Sequence, residues 1–383
     1  MATTVTPTDL QEIKYRREYW REYVRDSGFK PYMGGGSEGI TSVIHTAFEL
    51  TNNGKSLTIP LVDRLKNGGV RGNTRLSGNE EKLGKHTHSV AVQYARHAVE
   101  LSKQDEHYDA SNARESVRPL LKEWCSSLLR DRIIDALGSV SFSETTNKVF
   151  FDSALDTGDN VTASAAENNN WVSQNSDRVL FGSATGNYSS TFATALANVD
   201  STADKLGADE ISLMKRIAKD TSDPAIRPIR DQYVSDGREY FVLFCGTRTF
   251  RDLKTDDTIK NANRDARARE GDGMTRNPLF QDGDLIWDGV IIREIPEIPV
   301  LAAAGNSSID VGPVFLCGAQ SVCVGWGQEP MFTMKKEDDY GFFTGVGIEE
   351  LLGVNKIMRK DGDAGTFKDY GVVTGFFSAT GDA

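Results

Sequence analysis

The groups that could do chemistry in this 383-residue sequence are five histidines, four cysteines and a surplus of carboxylates. All the histidines (His45, His86, His88, His97, His107) precede residue 108. His86 and His88 stand two apart, so on an extended chain they share one face and could begin a metal site. No cysteine or third histidine lies near them in sequence, and solvent-exposed imidazoles are the expectation. Asp282-Gly-Asp284 and Asp361-Gly-Asp363 look faintly like the opening of calcium loops. Ile286 stands at the third ligand position of the first. The second has Gly365 there and lacks a closing acid, so both read as turns. The glycine run Met33–Gly39 has no Lys-Ser/Thr after it and no strand before it, which makes it a joint rather than a phosphate cradle. No GxSxG, HExxH, Walker or Rossmann pattern occurs. Carboxylates are numerous enough to supply an acid–base pair, but no spacing selects one. Cys125, Cys245, Cys317 and Cys323 are scattered without a CxxC, as suits free thiols in a reducing compartment. Catalytic, cofactor and metal sites are therefore all expected to be absent.

What remains is charge. The chain carries −11 overall, yet Lys55–Lys85 holds seven Lys or Arg against Asp63, Glu80 and Glu81, a net of +4. Residues 1–132 carry +3 and residues 133–383 carry −14. An acidic total argues against a nucleic-acid surface held by phosphate contacts. A basic segment on an acidic chain is suited instead to docking on another copy of that chain. The alternatives are a solvated surface hairpin and a nucleic-acid-binding arm over 55–85.

The elements around this segment read as follows. Leu57, Ile59 and Leu61, with Pro60 among them, form a first strand. A tip carrying Gly68, Gly69, Gly72 and Gly78 follows. A second strand alternates Val90, Val92 and Tyr94 with Ser89, Ala91 and Gln93, completing a long β-hairpin. Pro60 cannot donate to a ladder and places its strand at an edge. Between Lys66 and Lys85 the only aliphatic residues larger than alanine are Val70, Leu76 and Leu83, too few for a core of the tip's own.

Ahead of the hairpin, Thr8-Asp9 can cap a polar helix to about Arg25 bearing one aromatic stripe. After it, Asn112 and Glu115 make a capping-box pattern for a long helix with Val117, Leu121, Trp124 and Leu128 on one stripe. Leu120, Leu129, Ile133 and Leu137 widen that stripe, Pro119 marks a kink or the true start, and Gly138 is the stop. Residues 141–205 read as an insertion of loops and short strands. A helix over Asp209–Asp220, a buried strand Tyr240–Cys245 and a helix through Phe250, Leu253 and Ile259 come next. Two strands within Asp284–Ile295 and β structure from Val314 onward complete an α+β chain. No apolar run approaches ~18 residues, so neither membrane insertion nor secretion is indicated.

Several segments in this order are similar to one family. They are Phe29-Lys-Pro-Tyr-Met-Gly-Gly-Gly-Ser, the hairpin IPLVDRLKNGGVRGNTRLSGNEEKL, the helix SVRPLLKEWCSSLLRDRIIDALG, Asn277-Pro-Leu-Phe280, GVIIREIPEI at 289–298 and GFFTGVGIEELLGVNK. Together they resemble major capsid proteins of tailed bacteriophages with the Hong Kong 97 fold, over nearly the whole chain. Residues 141–205 match least. The resemblance implies an N-terminal arm (1–50), an extended loop (51–104), a peripheral domain with a spine helix and an insertion (105–205), an axial domain (206–312) and a return to the peripheral domain (313–383). It implies a non-enzymatic subunit that forms hexamers and pentamers of an icosahedral shell around double-stranded DNA, which it touches weakly and without sequence preference. A portal and decoration proteins are further implied partners. The extended loop would lie over an adjacent subunit, with Arg64, Lys66, Arg71 and Arg75 meeting its acids. About 50 residues precede the loop, so a separate scaffolding protein is expected rather than a cleaved segment. No crosslink is expected from Lys66, Lys82 or Lys85. Assembly would occur in the host bacterial cytoplasm. The rival reading is a soluble α+β enzyme with an unrecognised carboxylate site.

Overall fold

Two sheets, one with a helix laid on it and one sandwiched between two cores, organise the described chain. The computed structural model describes residues 27–35, 42–48, 54–62, 65, 67–108, 113–143, 146–152, 160–230, 239–262, 280–281, 284–338, 342–361 and 366–381. The expected N-terminal helix lies outside them.

The first sheet has the strand order Met33–Gly35, Ile44–Ala47, Val322–Asp338, Phe343–Lys356, Gln93–Ser102. Its centre is the long antiparallel pair 322–338 and 343–356. Period-two alternation gives it two unlike faces. Phe332, Ile348 and His97 form one cross-strand row, and Val346 and Val99 another. The helix Ala113–Leu137 lies over this face. Its Trp124 ring is 5.0 Å from His97, and Arg118 sits 5.9 Å from the Phe332 ring.

Residues 113–137 are rich in good helix formers, and Val117, Leu121, Cys125 and Leu129 recur every fourth residue on the buried side. Leu120, expected to widen that stripe, is instead exposed. One residue before the buried Leu121, it is turned off the stripe and away from the sheet. Pro119 sits inside the helix, where its missing N–H would have reached the carbonyl of residue 115. Gly138 ends the helix for a packing reason: a Cβ there would stand 2.1 Å from Phe151.

The second sheet runs Phe280–Gln281, Asp284–Trp287, Val290–Glu294, Glu239–Cys245, Val311–Cys317, Val372–Ser378, Val179–Phe181, with Ile229–Arg230 pairing beside it. Both faces are buried, so its strands read as continuous apolar runs. Val242, Phe244, Phe315 and Phe376 point into one core with Phe150, Trp171, Phe181 and Phe192. Phe241, Leu243, Leu316 and Phe377 point into the other, against Ile211 and Met214 of the helix Ala208–Asp220 and Phe250 and Leu253 of the helix Thr247–Thr255. Asp288 and Gly289 both take positive φ (46° and 72°), the two-residue turn that strands 284–287 and 290–294 need. The 312/313 boundary expected from the sequence falls inside the strand Val311–Cys317.

Three more expectations change. The helix through Phe250 and Ile259 is two, 247–255 and 257–262. Asp256 separates them, its carboxylate accepting from Thr258 N–H at 2.8 Å as an N-cap and from Ala208 N–H at 2.8 Å. Met33–Gly35 is a strand parallel to Ile44–Ala47 rather than part of a joint. Residues 141–205 are more than the expected loops and short strands. They hold the helices Ala165–Gln174 and Phe192–Ala197, and Trp171 and Phe192 join the aromatic core around Phe376.

Candidate functional site

The hairpin is anchored at its root and bare at its tip. Ser56–Val62 and Lys85–Ala91 pair antiparallel from Ser56–Ala91 to Val62–Lys85, and this two-stranded sheet joins no other. Pro60 faces Thr87 within it, so its strand is the edge its chemistry demands. Leu57, Leu61 and Val90 turn inward onto Ala47, Cys323, Ile357 and Tyr370, a small core separate from the other two. A Cβ on Gly353 would lie 2.2 Å from the Ala91 carbonyl oxygen, so root and body are in backbone contact.

The second strand is not one alternating run. It breaks at Val92, whose N–H donates to the Lys55 carbonyl at 3.2 Å. Beyond the break, Gln93–Ser102 leaves the hairpin and pairs with Phe343–Lys356. The change of partner resets the inward face: Val90 and Ala95 are buried, while Tyr94 is 60% exposed.

Residues 67–84 form no strand or helix. The Asn67 N–H donates to Glu81 Oε2 at 2.8 Å, closing the neck. At the far end the Asn79 N–H donates to the Leu76 carbonyl and its amide to the Arg75 carbonyl, both at 2.9 Å, while the Gly78 N–H donates to Glu80 Oε2 at 2.7 Å. Both glutamates thus turn onto the tip's own backbone. Arg71 and Arg75 are exposed, and neither makes an ion pair with any described carboxylate. Leu65, Leu76 and Leu83 are each at least half exposed. Arg64 and Lys66 lie outside the described residues. The tip therefore presents unpaired guanidinium groups beside bare leucines, on a lever rooted in the body. That arrangement suits capture of another surface.

The remaining candidates resolve differently. His86 and His88 share a face, as expected, but that face packs on the strand Met358–Asp361. His86 Nδ1 lies 2.9 Å from the Lys360 carbonyl, and His88, expected to be exposed, is buried. Phe142, whose ring stands 5.1 Å away, and Met358, distant in sequence, cover it. Among the described residues no three His, Cys, Asp or Glu side chains gather as a metal site. All four cysteines are free and buried, and burial pushes the Cys317 and Cys323 thiols up to about 12. Burial also raises the Asp131 and Glu210 carboxyls, but they stand on separate helices. A cleft of about 270 Å³ beside Gly246–Thr249 and Pro296–Val300 holds one carboxylate, Glu297, which Arg130 engages at 2.9 Å. No described helix is long and apolar enough to cross a membrane.

A family model described as phage capsid protein matches residues 4–375, nearly the full length. The chain belongs to the phage capsid protein family. A curated major capsid protein of Pseudomonas phage KPP25 is 23% identical over 395 residues, covering 97% of this chain and 96% of its own. Among solved structures, the capsid of cyanophage Pam1 is 39% identical with a TM-score of 0.77, covering 94% of both chains. The capsid of Ralstonia phage GP4 shares the fold at a TM-score of 0.69 and 19% identity, covering 93% of this chain and 92% of that one. The α+β architecture above, with its rooted hairpin and sheet-borne long helix, is thus the Hong Kong 97-type capsid fold. As a member of this phage capsid family, the chain is a structural protein of the virion shell.

Proposed function

We propose that copies of this capsid protein associate into hexamers and pentamers of an icosahedral head through the hairpin, whose tip lies on a neighbouring copy. The observation that carries this reading is the tip itself. It has no core, its two glutamates are spent on its own backbone, and Arg71 and Arg75 are left facing solvent. A neighbour drawn from a chain with net charge −11 supplies the complementary sign. Arg64 and Lys66 belong to the same basic set by sequence. The subunit needs no catalytic step, since repeated symmetric interfaces supply the free energy of assembly.

In this reading residues 1–50 form an arm, 51–104 the extended loop, 105–205 and 313–383 the peripheral domain and 206–312 the axial domain. A separate scaffolding protein, a portal and decoration proteins complete the head. Double-stranded DNA is enclosed with weak, non-specific contact, and assembly takes place in the host cytoplasm.

The deciding experiment is charge reversal, Arg71→Glu with Arg75→Glu, in a co-expression assembly system read by electron microscopy. Loss of closed shells with a folded, soluble subunit supports the reading. Shells of unchanged yield at both low and high salt overturn it.

A further inference from the structure

The joint between hairpin and body contains one buried imidazole with an unusual set of partners. His88 is 1% exposed and lies opposite Ile59 in the hairpin ladder. Its Nδ1 accepts the Met358 N–H at 3.4 Å, so the ring proton is on Nε2. Nε2 is buried and has no hydrogen-bond partner among the described residues. The Phe142 ring meets the imidazole edge-on at 5.1 Å.

We propose that His88 is a proton-operated latch that ties the hairpin root to the strand Met358–Asp361 while neutral and releases it when charged. A protonated ring has N–H groups at both nitrogens, so the Met358 N–H would lose its acceptor and face another donor. The new charge would also be buried without a counter-ion. Lys85 and His86 lie on its own strand, Glu349, Glu350 and Lys356 on the strand Phe343–Lys356, and Arg359, Lys360 and Asp361 on Met358–Asp361. Lys368 and Asp369 lie on the strand Thr366–Asp369. Ser56–Val62 and Ser139–Ser143 carry no charge. Asp369 is committed to Lys356, and Arg359 to Asp223. No described carboxylate is hydrogen-bonded to the His88 ring, whose partner is the Met358 N–H.

Burial accordingly lowers the imidazole from 6.5 to about 4, with the Met358 bond opposing. A folded value below the unfolded one means that the docked root is fully stabilised above about pH 6.5. The stabilisation drains away as pH falls toward 4 and is constant below that. With these two values, the opening equilibrium of the root rises roughly 20-fold between pH 7 and pH 5. The latch is a property of one chain, so it stands or falls independently of the assembly reading; that reading only makes it a control on the arm of a shell.

The test is hydrogen exchange by mass spectrometry on the unassembled full-length subunit at pH 7 and pH 5, with rates corrected for intrinsic pH dependence. Peptides from Ser56–Val62 and Lys85–Ala91 are compared with Val372–Ser378 at the centre of the second sheet. In the wild type the hairpin is expected to lose roughly 20-fold of its protection while the central strand keeps its own. His88→Gln can still offer an oxygen to Met358 but does not titrate, and should lose less than about threefold. Equal loss in His88→Gln, an unchanged wild-type hairpin, or loss in step at Val372–Ser378 each overturns the latch. Should the variant not fold, a wild-type pH series decides. Protection that falls from pH 6.5 and levels near 4 supports the latch, and a flat profile overturns it.

Discussion

Lys356 Nζ donates to Asp369 Oδ2 at 2.8 Å with both side chains essentially sealed from water, at 0% and 1% exposure. The Trp171 indole N–H donates to the same oxygen at 3.2 Å, and the ammonium stands 5.4 Å from the Trp171 ring. Burial lowers the Lys356 pKa while Asp369 opposes that shift. Arg178, fully buried, bonds the Asp369 carbonyl and the carbonyls of Asp223 and Pro224. Three distant stretches of chain thus meet on two buried cations, Lys356 paired with Asp369 and Arg178 paired with Asp177, each at 2.8 Å.

Breaking that pair on one side leaves a buried charge unpaired. Lys356→Met and Asp369→Leu should each cost about 3–5 kcal/mol in urea unfolding of the subunit. The double variant Lys356→Met with Asp369→Leu should recover most of the loss, because no charge is then stranded. Its residual cost is the Trp171 N–H left without an acceptor, about 1–3 kcal/mol. Additive losses in the double variant would show that the residues act separately.

The helix Ala165–Gln174 depends on its cap. Ser164 accepts from the Glu167 N–H while Glu167 Oε2 accepts from the Ser164 N–H at 3.0 Å, and Lys148 pairs with the same carboxylate. Ser164→Ala should cost about 1 kcal/mol. The Lys148 and Ser164 contacts hold the Glu167 carboxyl down at about 2 from an ordinary 4.5. Its contribution is therefore present above pH 4.5 and is lost as pH falls through 2. Carboxyl chemical shifts of Glu167 across that range test the assignment; an ordinary titration near 4.5 would contradict it.

That cap was legible in the residues, since Ser164-Ala-Ala-Glu167 is the pattern also recognised at Asn112–Glu115. The surrounding Ser, Thr and Asn pointed to loops instead. Their polar side chains turn out to serve buried backbone: Asn175 accepts the Asp369 N–H at 2.9 Å and donates to the Trp171 carbonyl at 3.0 Å. Elements whose burial follows from local periodicity, such as the strand Tyr240–Cys245 and the helix over 209–220, could be read directly. The tip's isolation was legible too, because it rests on missing apolar residues. His88 was not. Its burial comes from Phe142 and Met358, far off in sequence, and a lone imidazole in an alternating strand carries no mark of which side will be covered.

Gly353 fixes how closely the hairpin root approaches the body. A methyl there would meet the Ala91 oxygen at 2.2 Å and Val90 Cγ1 at 3.1 Å, and neither backbone can retreat without breaking a ladder. Gly353→Ala should lift the root and cost about 1–3 kcal/mol. Limited proteolysis within 56–91 should accelerate before any cleavage in the strands 311–317 and 372–378. Cleavage of all sites in step would mean that the substitution unfolds the whole subunit instead.

The exposed leucines separate folding from assembly. Leu76 and Leu83 touch little of their own chain, being 61% and 50% exposed, so replacing them with Ser should change subunit stability by no more than about 0.5 kcal/mol. In a shell the same side chains would be covered, and each loses roughly 1.5–3 kcal/mol of burial if replaced. That loss recurs at every copy of a repeated interface, so a modest change per subunit becomes failure to close. The expected outcome is a normally folded Leu76→Ser, Leu83→Ser subunit that gives open sheets or free oligomers under the microscope. Closed shells at wild-type yield would mean that the leucines stay in solvent and that the guanidinium groups of Arg71 and Arg75 carry the contact alone.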